Sequence, residues 1–131
     1  MHKEIIHVSK ANFDNGFYAD AVESAFKEVN SKVKGIYLAK TGKEEDGATL
    51  MQKAFSPNNP ILCFEGIGTA SAKNTQQGYM DIFAGAMTGI RNPKAHENMV
   101  IDKKQAVQRM MLASLLMEKI DEALEYEKSM Q

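Results

Sequence analysis

Residues 89 to 97 read Gly89-Ile90-Arg91-Asn92-Pro93-Lys94-Ala95-His96-Glu97, which sets a permanent cation, a neutral amide and a titratable imidazole close together along the chain. Such groups can converge on one phosphate. Cleavage of RNA by internal transesterification needs a base to take the proton from the 2'-hydroxyl, a cation for the pentacoordinate phosphorane, and an acid for the leaving 5'-oxygen. It needs no metal. A histidine serves as base or acid, a transfer worth about 10²- to 10⁴-fold. Arginine offers paired N–H donors to phosphate oxygens and stabilises charge where it accumulates. Asn92 can donate to the same oxygens or hold the imidazole, and Lys94 is a candidate for binding the substrate's phosphates. One histidine serves two proton transfers awkwardly, and a symmetric dimer bringing two copies of the segment to one cleft supplies a second. A plainer reading stands beside this one: Arg and His near a helix C-terminus suit its dipole and cap its last carbonyls, and Asn-Pro is an ordinary turn.

Elsewhere the chain is poor in catalytic ingredients. His2, His7 and His96 are its histidines and Cys63 its lone cysteine, with no pair at metal-ligand spacing, so neither a metal site nor a disulfide is expected. No phosphate loop, dinucleotide fingerprint or nucleophile elbow is present, and no cofactor is expected. Gly66-Ile67-Gly68-Thr69 is better explained by turn geometry than by phosphate binding. His2 and His7, on or near a terminal helix, are expected to be solvated. Lys53, Lys73, Lys103 and Lys104 are further candidates for phosphate contacts, although lysines spread through a neutral chain usually mark a solvated face.

The elements that must position Arg91 are helical. Residues 3 to 14 carry a weak helical pattern that Asn15-Gly16 would end. From Tyr18 the apolar positions continue through Val22, Ala25, Val29, Val33 and Ile36, steps of three or four residues that predict an amphipathic helix. A charged connection leads to a short helix capped by Asp46, which stops before Pro57. Residues 56 to 73 predict an ordered loop folded over the helices. Asn74 with Gln77 three residues on resembles a capping box, opening a helix that delivers Arg91 at its end; Asn92-Pro93 should break it. Asp102 with Gln105 opens a long last helix. The sum is an all-α, up-and-down bundle of four to five helices with one long ordered loop, in a single domain over residues 1–131 that could form the C-terminal part of a longer protein. Met111, Leu112, Leu115 and Leu116 lie outside the last helix's main stripe, which suggests either a dimer surface or the bundle centre.

Sixteen Lys and Arg against 17 Asp and Glu give a formal charge of −1, so the strongly basic field of a general nucleic-acid binder is absent and any such contact must be local. No apolar run approaches a membrane span, and the lone cysteine suits a reducing compartment, so a cytoplasmic protein is expected.

Three ordered segments carry a family resemblance. Arg91 to His96 resembles the arginine, polar residue, three variable residues, histidine motif of HEPN domains. Phe13-Asp14-Asn15-Gly16-Phe17-Tyr18-Ala19-Asp20-Ala21-Val22, Ala54-Phe55-Ser56-Pro57-Asn58-Asn59-Pro60-Ile61-Leu62 and Gly85 to Glu97 resemble the Ymh-type branch of bacterial and phage-associated proteins. The resemblance implies a homodimeric helical bundle and a metal-independent endoribonuclease with Arg91 and His96 catalytic and Asn92 assisting. It also implies a role in phage defence, as a toxin or in stress response, with an antitoxin or an added N-terminal domain as further partners. The alternative is a non-catalytic dimerisation and binding module for nucleotide or a partner protein. The first reading expects Arg91 and His96 exposed, close together and near a dimer axis; the second expects them buried in capping or salt-bridge roles, with no cleft between protomers.

Overall fold

Local signals fix most helix ends in the computed structural model, which describes residues 1–91 and 100–131. Helix α1, Lys3–Asp14, stops where the Asn15 side-chain amide donates to Ala11 O at 2.8 Å and Gly16 turns the chain at φ 80°. Helix α2, Tyr18–Thr41, ends on the left-handed Gly42, whose N–H donates to Leu38 O at 2.8 Å. Helices α3, Gly47–Ala54, and α4, Ala70–Ala86, follow; α4 runs directly into a π-helical turn, Met87–Arg91. Helix α5, Lys103–Ser129, starts with the expected capping box: Asp102 accepts from the Gln105 N–H, and the Gln105 side chain accepts from the Asp102 N–H. Among the described residues, five α-helices form one all-α bundle, with no strand.

Helix α2 is the hub, packing against α1, α3, α5 and the π turn. Its stripe of Val22, Ala25, Phe26, Val29 and Val33 is wholly buried and shares a core with Ala113, Met117 and Ile120 of α5. A second focus is aromatic. Phe55 stacks on Phe83 with ring centroids 4.2 Å apart, Phe64 lies beyond Phe55, and Lys119 covers Phe64 and Tyr79 from α5.

Two expectations change. Helix α4 begins four residues before Asn74: Thr69, in extended backbone, accepts from the Ala72 N–H at 3.1 Å and is the true N-cap. Gln76, inside the expected cap sequence, instead points inward and is 1% exposed. Its amide donates to Phe55 O at 3.0 Å and Leu62 O at 2.8 Å, and its Oε1 accepts from Phe64 N at 3.3 Å. That one side chain clamps the ordered loop of residues 56–69 onto the helices. His2 is buried rather than solvated: its N–H donates to Ser114 Oγ at 2.7 Å, its Nδ1 caps α1 by accepting from Glu4 N, and its Nε2 lies 2.8 Å from Asp121 Oδ2. His7 is exposed, as expected. Gly66 adopts φ 95° with the Tyr126 hydroxyl 3.0 Å from where a Cβ would stand, so turn geometry and close approach account for a glycine there.

The apolar surplus of the last helix divides. Leu116 is fully buried and Leu112 packs partly against the core, whereas Met111 and Leu115 remain 58% and 43% exposed. No helix among the described residues is long and apolar enough to cross a membrane.

Candidate functional site

Arg91 is placed by a helix that loosens as it ends. Gly85, Thr88 and Gly89 are weak helix formers, and the Thr88 hydroxyl bonds back to Ala84 O at 3.3 Å, a contact that bends helices. The buried Met87 anchors the turn to the core, and α-helical hydrogen bonding gives way to π winding over Met87–Arg91. Turns of this kind occur often at functional sites.

The guanidinium faces the entrance to α3. Arg91 Nη1 and Nη2 each donate to Asp46 Oδ2 at 3.3 Å. The other carboxylate oxygen accepts from the Asn30 amide at 2.7 Å, and Asn30 Oδ1 accepts from Gly47 N at 3.1 Å. Asp46 was expected to cap α3 with its own side chain and does not. The buried Asn30 of α2 instead accepts from the first N–H of α3, that of Gly47, and the Asp46 carboxylate pairs with Arg91. Gly47 adopts φ 61°, and a Cβ there would stand 3.5 Å from Arg91 Nη1. Helix α2, the α3 entrance and the π turn therefore meet in one polar network.

Burial pushes the Asp46 carboxyl upward, but the Asn30 hydrogen bond, the Arg91 charge and hydrogen bond, and the Lys34 charge outweigh it and hold the group below its ordinary value. Lys34 Nζ lies 4.0 Å from Oδ1. The Arg91 side chain is 22% exposed and that of Asp46 51%, so the pair borders solvent. Arg91 Nε is buried with no hydrogen-bond partner among the described residues. Chemically, the arrangement presents a fixed guanidinium at the surface whose two terminal nitrogens already hold an anionic oxygen.

Of the residues expected at the site, only Arg91 falls within the described part of the chain; Asn92, Lys94 and His96 lie outside the described residues. Arg91 sits in a salt bridge, a role the binding-module alternative expects, but its side chain is partly exposed rather than buried. Lys53 pairs with Glu45 at 2.6 Å, and that hydrogen bond and charge raise its pKa, while Lys73, Lys103 and Lys104 are exposed. Among the described residues, no group of three His, Cys, Asp or Glu side chains could hold a metal ion. The sequence reading missed Asn30, although it carried a signal: Phe26, Asn30, Val33 and Tyr37 follow helical spacing along the buried face, and a polar residue in such a row implies a hydrogen-bonded partner.

A family model described as "Protein of unknown function (Hypoth_ymh)" matches residues 1–120 of the chain. No curated protein and no solved structure gave a match.

Proposed function

We propose, from the premise that the chain belongs to the Hypoth_ymh family, that it is a HEPN-type, metal-independent endoribonuclease. The observation that carries the reading is the placement of Arg91: a guanidinium at the solvent border, set on a π turn and oriented by the Asn30–Asp46 network, at the point where the sequence continues into Asn92-Pro93-Lys94-Ala95-His96. A guanidinium set at the solvent border by a packed turn stands where the oxygens of a phosphate can reach its paired N–H donors.

In the proposed chemistry, the 2'-hydroxyl attacks phosphorus while a histidine takes its proton. Arg91 stabilises the phosphorane, and the bond to the 5'-oxygen breaks as that oxygen receives a proton, leaving a 2',3'-cyclic phosphate and a 5'-hydroxyl. His96 is the proton-transfer group, Asn92 assists and Lys94 contacts the substrate. A homodimer would supply the second histidine, and the exposed Met111 and Leu115 support such a contact. The cellular role within this reading is phage defence, toxicity or stress response, in the cytoplasm. The Arg91–Asp46 ion pair favours a second reading, in which the domain binds nucleotide or a partner protein without cleaving.

The deciding experiment is RNA cleavage in the presence of a chelator by wild type, Arg91→Ala and His96→Ala proteins of matched fold and oligomeric state. Cleavage by wild type that both substitutions abolish is the expected result. Equal activity in all three would remove these residues from the chemistry, and a wild type that binds RNA without cutting it would leave the binding module.

A further inference from the structure

We propose that Asp46 is a built-in competitor for the phosphate at Arg91, occupying the place a substrate oxygen must take. The inference rests on the reading of Arg91 as the phosphate-binding cation and adds what controls its access. Arginine grips a phosphate by presenting two N–H groups to its oxygens. Here both terminal nitrogens are turned onto Asp46 Oδ2, and Nε is buried. A phosphate arriving at the same fork meets a carboxylate held in place from behind by Asn30 at 2.7 Å.

The two ends of this carboxylate differ in grip. The Asn30 contact is short, whereas both Arg91 contacts are 3.3 Å, longer than the roughly 2.7–2.9 Å of a strong charge-assisted bond. Asp46 is thus anchored to α2 and only loosely held to Arg91, and its carboxylate is half exposed. Release of Arg91 leaves Asp46 still bonded to Asn30 and 4.0 Å from Lys34, so the carboxylate keeps partners when the guanidinium turns to another anion. The anionic character of Asp46 at neutral pH follows from its lowered pKa.

The test is binding of a fluorescent, 2'-O-methylated RNA oligonucleotide, which cannot be cleaved by 2'-hydroxyl attack, to wild type and Asp46→Asn proteins. Asparagine retains an oxygen for Asn30 and removes the charge. Affinity should rise about tenfold, the size expected when a like charge leaves a phosphate site. Glu45→Gln, which removes a neighbouring charge paired with Lys53, should leave affinity within about twofold. Asp46→Ser, another helix-capping residue, provides the same charge removal should the asparagine protein fail to fold. Equal or weaker binding by the folded Asp46 variants, including no binding by any protein, overturns the proposal. Tighter binding without cleavage of ordinary RNA by any protein retains it and sinks the nuclease, while cleavage by wild type with no affinity gain in the variants does the reverse.

Discussion

Replacing Gln76 by alanine should destabilise the fold by about 3 kcal/mol, the sum of a few buried hydrogen bonds left without partners at about 1–3 kcal/mol each, reduced by local relaxation and water entry. The side chain is 1% exposed and serves Phe55 O, Leu62 O and Phe64 N, which lie at three points along one loop. Alanine removes every partner at once and leaves two carbonyls and one N–H facing a small void. Glutamate tests the geometry more finely: it can still accept from Phe64 N, but its ionised form has no donor for the two carbonyls, so it should cost at least as much as alanine. The assay is urea unfolding followed by far-ultraviolet circular dichroism at fixed protein concentration, with the variant's slope compared to wild type. A loss under about 1 kcal/mol at unchanged slope would refute the clamp, because the loop would then hold its place through Phe55, Leu62 and Phe64 packing alone.

The Asp46 pKa is lowered on folding, so its stabilisation is complete above the unfolded value of 3.8 and disappears as pH falls through the lower folded value. Melting temperatures of wild type and Asp46→Asn should therefore differ at pH 6 and converge in acid below the ordinary carboxylate range; a constant gap would place the difference elsewhere than in the charge. Gly47→Ala should lose about 1–2 kcal/mol in the same urea assay, the cost of a left-handed backbone for a residue with a Cβ, since Gly47 holds φ 61° while the new methyl would meet Arg91 at an ordinary 3.5 Å. An unchanged midpoint would mean that the turn re-forms with a negative φ.

Helix identity and most helix ends were legible because their causes are local. Asp102 and Gln105 formed their capping box as read, Asn15-Gly16 and Gly42 closed α1 and α2, and the α2 stripe went to the core as its spacing required. Where the reading departed, the cause lay close by in one case and far along the chain in the others. The cap-like pattern at Asn74 lost because Thr69, five residues earlier, accepts from the Ala72 N–H and starts the helix, which leaves Asn74 inside α4. His2 went inside because Ser114 and Asp121, at the other end of the chain, offered it partners. At the candidate site, Arg91 was singled out from its type and context. Its partner Asp46 was located as a helix start but assigned a capping bond it does not make, since nothing local reveals that its carboxylate would be held between Asn30 of α2 and Arg91.

The packing of α2 between early and late elements bears on how the chain is made. Helices α1 and α2 can pair as soon as both leave the ribosome, yet the α2 stripe of Val22, Phe26, Val29 and Val33 shares its core with α5, the last of these helices to emerge. Until α5 is synthesised, the nascent hairpin displays an apolar face with no covering. His2 against Ser114 and Asp121, and Lys40 against Glu127, then join early and late helices in the finished fold. Such long-range closure makes completion of the fold wait for α5, and it gives the growing chain a window in which chaperones, or a second nascent copy, meet the surface that α5 will later cover.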